Sequence, residues 1–389
     1  MRQHLTPERA LPADRFAGAL VGRAWLPEGP AVVALREDGV YDVTREVGPT
    51  VSELLERDDP AGALRAASGQ RIGDLGEMLT ASIAGEGNGR PRLLAPCDLQ
   101  PVKAAGVTFV KSMLERVIEE QCKGDPSRAE AIRGTVAQLI GGELRGLKPG
   151  SDAAMRLKQM LIERGAWSQY LEVGIGPDPE IFTKAPPLSS VGTGADIGVH
   201  PISTWNNPEP EVVLAIDSKG SIKGAALGND VNLRDVEGRS ALLLGKAKDN
   251  NGACSIGPWI RLLDGGFDID ALRGTVVRLT VEGEDGFRLD GSSSMSEISR
   301  DITELAAATI GRHHQYPDGV MLFCGTMFAP VEDRGEPGRG FTHKLGDIVT
   351  ISAERLGSLT NRVGHSDRIA PWSYGLTALM RSLAARGLL

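Results

Sequence analysis

The stretch Asn207-Pro208-Glu209-Pro210-Glu211-Val212-Val213-Leu214-Ala215-Ile216-Asp217-Ser218-Lys219-Gly220, running on through residues 221–230 to Asp230, decides how the rest of the chain is read. Residues 212–216 are short, apolar and rich in β-branched side chains. Prolines bound them on one side and an Asp-Ser-Lys-Gly turn on the other, which predicts a strand and not a helix. Residues 221–227 return beside it. With Ile216 facing Ser221, Glu209 falls opposite Gly228. Side chains two apart share a face, so Glu209, Glu211 and Asp230 converge at the open end of the hairpin. Two unit charges about 4 Å apart repel by roughly 4 kcal/mol at an effective dielectric near 20, so three clustered carboxylates call for a cation or a proton. An all-oxygen set suits a hard divalent metal, Mg²⁺ first. A solvated strand face also produces Glu-x-Glu, and a one-residue slip of register would turn Asp230 to the other side.

At 389 residues the chain can bury a large core, and one substantial domain with a smaller one is expected. The net charge of −8 and the lack of a long Lys/Arg run argue against nucleic acid or an anionic membrane as the main partner. A small molecule is the better expectation. Cys97, Cys122, Cys254 and Cys324 are scattered with no C-x-x-C spacing, which suggests neither a zinc site nor a disulfide framework and fits a reduced, cytoplasmic setting. The first twenty residues lack the apolar core of a signal peptide, and no later run is an uninterrupted membrane span.

In order along the chain, residues 1–95 are expected to form a small N-terminal α/β domain. It has a hairpin over 31–35 and 40–43, helices at 51–55 and 61–67, and a glycine-rich end at 85–91. Residues 96–389 form the second domain, with a helical insertion at about 116–174. A strand over 101–110 leads into a helix on which Ser112 and Glu115, three apart, share a face; an N-terminal Ser and a solvated Glu would look the same locally. Asp125 or Ser127 can cap a helix through Ile140, and Ser151 one through Arg164. Beyond Ile181 come strands at 257–263, 275–281, 287–290, 320–324 and 347–353, with one helix from Ser296 or Asp301 to Ile310. Strand after strand without alternating helices predicts an α+β fold, a rolled mixed β-sheet and not a doubly wound one. Residues 192–198 also fail the G-x-G-x-x-G spacing.

With these pieces placed, the chain resembles the fumarylacetoacetate hydrolase superfamily over roughly residues 97–363. The matching motifs are Pro208-Glu209-Pro210-Glu211, Leu227-Gly228-Asn229-Asp230-Val231-Asn232-Leu233-Arg234-Asp235, residues 248–259 beginning Lys248-Asp249-Asn250-Asn251-Gly252, Gly325-Thr326, and Lys344-Leu345-Gly346-Asp347-Ile348-Val349. The resemblance implies a rolled β-sheet core holding Mg²⁺ or Mn²⁺ on Glu209, Glu211 and Asp230. It also implies Arg234 and Lys248 near the metal, Thr326 at the substrate's carboxylate end, and pairing into a homodimer or higher homo-oligomer.

Hydrolytic members carry Gly-x-Asn-Tyr-x-x-His-x-x-Glu, where His and Glu activate water. Here residues 106–115 put Ser112 where the His stands. A serine of ordinary pKa cannot replace imidazole as a general base near neutral pH. The missing His, the helical block and the Asp-Asn-Asn-Gly segment resemble the superfamily's sugar-acid dehydratases, which turn 2-keto-3-deoxypentonates into 2,5-dioxopentanoate in non-phosphorylative pentose catabolism. On that reading Lys248, its pKa lowered toward neutrality by the metal and Arg234, takes a C3 proton from a 2-oxo acid. Glu115 assists departure of the C4 hydroxyl, and Ser112 holds the C4 or C5 hydroxyl. A hydrolase of acylpyruvates or diketo acids and a non-catalytic carboxylate-binding protein are the alternatives.

Overall fold

The computed structural model describes residues 1–85, 89–123, 125–129, 132–134, 147–334 and 340–389. Its centre is the expected hairpin, strands Pro210–Ile216 and Ile222–Asp230. All seven residues of the first strand are buried, as an almost wholly apolar strand covered on both faces must be. The register differs from expectation by two residues: Glu211 faces Gly228, and the Asp230 N–H donates to the Glu209 carbonyl at 3.0 Å. An irregularity between Ala215 and Ile216 takes up the difference, with Ile216 opposite Ile222. Because the pleat repeats every two residues, a displacement of two leaves Glu209, Glu211 and Asp230 on one face.

Around this hairpin runs an open eleven-stranded mixed sheet. On one side lie Cys254–Leu262, Leu20–Leu26, Gly29–Arg36, Gly39–Asp42 and Gln70–Gly73, with Arg92–Leu94 also paired to Leu20–Leu26. On the other lie Val320–Phe323, Val102–Gly106 and Glu180–Ala185. A second, five-stranded sheet orders Arg288–Ser294, Val276–Glu282, Ile348–Ala353, Gly357–His365 and Asp196–Val199. The largest core lies where Val212, Leu214 and Leu227 meet Leu279, Val281 and Ile351 of the second sheet. The opposite face of the hairpin, Val213, Ala215 and Ala226, shares a core with Val51 and Leu54 of the N-terminal region. The architecture is the expected α+β arrangement of mixed sheets.

The N-terminal hairpin and the helices Val51–Leu55 and Pro60–Ala66 form where the sequence suggests. Thr50 and Asp59 cap these helices, accepting from the Glu53 and Gly62 N–H groups. The sheet nevertheless runs across the 95/96 boundary, since Leu20–Leu26 pairs with Cys254–Leu262. In the insertion, helices Val110–Cys122, Asp152–Glu163 and Gln169–Ile175 bury Val117, Leu161 and Leu171 together with Trp205. Ser151 caps the second as expected. Asp125 accepts from the Ser127 N–H and caps the turn Pro126–Arg128; residues 129 and 132–134 beyond it are helical, and the rest of the helix expected through Ile140 lies outside the described residues. The later helix begins at Asp301, not Ser296, and spans Ile302–Thr309. No described helix is long and apolar enough to cross a membrane.

Gly228 lies where the hairpin face meets buried neighbours: a Cβ there would fall inside contact distance of the Phe323 ring and a Val213 methyl. Gly228→Ala should therefore lower stability by about 1–3 kcal/mol, the usual cost of overpacking. A lower urea midpoint at unchanged slope would register it.

Candidate active site

At the open end of the hairpin, carboxylate oxygens of Glu209, Glu211 and Asp230 lie within 4.8 Å of one another, all buried. Glu209 is bonded by the Arg116 guanidinium and the Lys248 ammonium, and the Thr326 hydroxyl lies 2.8 Å from its Oε2. The Gly325 N–H donates to Glu211 at 2.7 Å, and the Thr326 hydroxyl is 3.3 Å from its other oxygen. Lys248 and Lys184 hold the two oxygens of Asp230 at 3.0 and 2.7 Å. Gly325 has φ +106, which side chains rarely adopt, and a Cβ there would collide with the Thr108 hydroxyl. The turn after Val320–Phe323 thus aims its N–H at a carboxylate. Thr326, expected at the substrate's carboxylate end, lies between two of the candidate ligands.

The charges are unevenly settled. Burial would raise Glu209, but Arg116 and Lys248 override it and hold the carboxyl at about 2. Burial and then the charges of Asp230 and Glu209 push Glu211 well above the usual carboxylate range. Three buried acids that converge, one of them pushed toward its neutral form by burial and by the other two, fit a Mg²⁺ ion that supplies the missing counter-charge. Lys248 is held by two of the same acids. Burial depresses it, yet Asp230, Glu209 and Glu237 outweigh burial and raise it, so the ammonium stays charged.

Arg234, expected near the metal, is one layer removed. Its guanidinium stacks 4.3 Å over Trp205 and donates to Glu119 at 2.6 Å and Glu115 at 3.1 Å. Glu119 in turn accepts from Arg116 at 2.7 Å, and Arg116 reaches Glu209. Glu115 is also gripped by Arg133 at 3.0 and 3.1 Å. Burial opposes ionisation there, but the two guanidiniums win and hold the Glu115 carboxyl below its ordinary value. It is held ionised near neutral pH, bound by a guanidinium on each side. Ser112 is buried, and its hydroxyl donates to the Phe109 carbonyl at 3.0 Å, within its own helix and not to the triad.

Three groups that the sequence reading did not single out complete the cluster: Arg116, Lys184 and Glu180. Glu180 opens the strand Glu180–Ala185 opposite Gly106, and its carboxylate occupies the space that a Cβ on Gly106 would need. Burial, then the charge of Glu237, push it up to about 7, with Arg116, Lys248 and Asp230 also acting on it. Lys184 lies four residues on, at an irregularity in the pairing with Val102–Gly106, and its ammonium reaches Asp230. A glycine closing the strand before the insertion helix is the one sequence hint, and it names no partner.

A profile of the fumarylacetoacetate (FAA) hydrolase C-terminal domain matches residues 172–364. The probable 2-keto-3-deoxyxylonate dehydratase of Haloferax volcanii is 32% identical over 194 residues, 50% of this chain and 63% of that protein. The 2-dehydro-3-deoxy-D-arabinonate dehydratase of Saccharolobus solfataricus is 35% identical over 185 residues, 48% of this chain and 58% of that one. The chain thus matches about three-fifths of the length of these curated relatives. Among solved structures, a 2-keto-3-deoxy-D-arabinonate dehydratase complexed with magnesium and 2,5-dioxopentanoate superposes with a TM-score of 0.61 at 21% identity, over 89% of this chain and 99% of that one. A fumarylacetoacetate hydrolase from Exiguobacterium antarcticum gives 0.56 at 18%, over 89% and 99%. Both share the fold, so the fold leaves the reaction open.

Glu211 and Glu180 fix the sign of a pH effect. Their folded values lie above the ordinary 4.5, so the stability they contribute is complete below that value and is lost as pH rises toward the raised ones. Metal-free protein should melt at a lower temperature at about pH 8 than at about pH 6. Mg²⁺ should remove most of the difference, and Glu211→Gln should shrink it.

Proposed function

We propose that this chain, whose residues 172–364 match the fumarylacetoacetate hydrolase C-terminal domain, is a Mg²⁺-dependent dehydratase that converts a 2-keto-3-deoxypentonate to 2,5-dioxopentanoate. One observation carries the reading. The site holds a carboxyl, Glu180, poised at about 7, while the position of the hydrolytic imidazole is taken by Ser112 with its hydroxyl committed to Phe109. That set suits moving protons on and off a substrate and lacks the imidazole with which the hydrolytic members activate water. The names of the two curated relatives point the same way.

Glu209, Glu211 and Asp230 would hold the ion. When bound it supplies Lewis acidity to the 2-oxo group, which acidifies C3, and takes up the carboxylate charge that keeps Lys248 protonated here. Lys248 is the proton acceptor at C3. Glu180, protonated about half the time at neutral pH, gives its proton to the C4 hydroxyl, which leaves as water. A proton shift from C5 to C3 then moves the double bond to C4 and C5, and the enol so formed passes its hydroxyl proton to C4 to give the aldehyde. Arg116 keeps Glu209 ionised throughout, and Glu119 holds Arg116 in line with Arg234.

Purified protein with Mg²⁺ should form 2,5-dioxopentanoate from a 2-keto-3-deoxypentonate and release no pyruvate from acylpyruvates. Rapid acylpyruvate cleavage would replace this reading with the hydrolase. Glu180→Gln should lower kcat by about 10²- to 10⁴-fold while C3 hydrogen still exchanges with solvent. Lys248→Met should stop both turnover and exchange, and exchange at the normal rate in that variant would assign the base elsewhere.

A further inference from the structure

One rung beyond the acids, Asn207 pairs with Asn232. The register is continuous with the hairpin, in which Glu211 faces Gly228 and Asp230 bonds to Glu209. Pleating therefore places Asn207 and Asn232 on the ligand face, about 6.7 Å along the strand from the Glu209 and Asp230 rung. Both are completely buried. Asn207 Nδ2 donates to the Pro208 carbonyl at 2.8 Å, but its Oδ1 has no hydrogen-bond partner among the described residues. Asn232 has none at either Oδ1 or Nδ2. Nearby, Asn229 accepts from the Glu209 N–H at 3.1 Å while its Nδ2 is unpartnered.

Buried polar groups in proteins are nearly always paired, and leaving one bare costs stability. Here bare donors and acceptors cluster beside the three acids. A hydroxyl both donates and accepts, so a single one could satisfy an amide N–H and an amide oxygen together. We propose that Asn232, with Asn207, forms a hydroxyl-recognition subsite that holds the terminal C5 hydroxyl of the 2-oxo acid and selects hydroxylated chains over their deoxy analogues. This rests on the reading that a 2-oxo acid binds at Glu209, Glu211 and Asp230. The C4 hydroxyl is the wrong occupant, because it must leave with a proton that an amide cannot supply. Neutral amides also offer no counter-charge to a second carboxylate at the far end of a substrate.

The test uses two ligands that differ by one hydroxyl, 5-hydroxy-2-oxopentanoate and 2-oxopentanoate. Neither has a C4 hydroxyl to lose, so calorimetry in Mg²⁺ reads binding without turnover. The unmodified protein should bind the hydroxylated ligand about threefold to tenfold more tightly. Asn232→Leu, similar in size and branching but apolar, should bind both alike, with the affinity for 2-oxopentanoate unchanged. Its melting temperature should match or exceed that of the unmodified protein, because a bare buried amide is gone. Asn207→Leu should act in the same direction.

Equal affinities in the unmodified protein would overturn the proposal and leave the amides as hosts for ordered water. An Asn232→Leu protein that melts lower and weakens both ligands equally would overturn it in favour of a structural role. Failure of both ligands to bind at all would instead refute the 2-oxo acid reading beneath it.

Discussion

Three carboxylates forced together out of water are the constraint on which this structure depends. No rearrangement of the hairpin separates Glu209 from Asp230, because their backbones are hydrogen-bonded rung to rung in the middle of an eleven-stranded sheet. The repulsion is met by Arg116 and Lys248 on Glu209 and by Lys248 and Lys184 on Asp230, while Glu211 is pushed toward its neutral form. Each of those partners comes from a different part of the chain: the insertion helix, the strand Glu180–Ala185 and the short helix Leu244–Lys248. The surrounding fold can be read as the scaffold that delivers compensating charge to one buried point. Removing one partner from such a cluster leaves an uncompensated buried charge, which is far costlier than losing a surface ion pair.

Much of this was legible in the sequence for a simple reason. Period-two alternation, a turn with Asp and Gly, and a continuous apolar run specify a central hairpin, and the face of its acids survives a two-residue change of register. What the sequence did not reveal is whatever depends on partners distant along the chain. Glu180 acquires its character from lying over Gly106 and beside Glu237, a pairing that no local pattern announces. Glu115 sits at a spacing that suggests an acid, yet Arg133 and Arg234 decide its protonation. Lys248 takes its charge in the metal-free site from Glu209 and Asp230, which lie 39 and 18 residues away along the chain. The first strand, Leu20–Leu26, was likewise invisible as a member of the main sheet until its partner Cys254–Leu262 was known.

The same scaffold accommodates a hydrolase and a dehydratase at comparable structural distance from this chain, so reaction type must reside in a handful of side chains and not in the topology. Most of those side chains lie where the insertion helix Val110–Cys122 meets the sheet. The helix contributes Arg116 and Glu119 to the charged layer and commits Ser112 to its own backbone. With no imidazole there, the proton carriers proposed above are Glu180, raised by burial and then Glu237, and Lys248, kept charged by Asp230, Glu209 and Glu237, so two acids of the triad act directly on the lysine.

That dependence makes the occupancy of the triad the decisive observable. Anomalous diffraction from crystals soaked in Mn²⁺, used as a heavier stand-in for Mg²⁺, reads it directly. The account predicts one strong peak among Glu209, Glu211 and Asp230, with the Lys248 ammonium withdrawn from Glu209. Density with no peak at that point, and Lys248 still bridging Glu209 and Asp230, would contradict it.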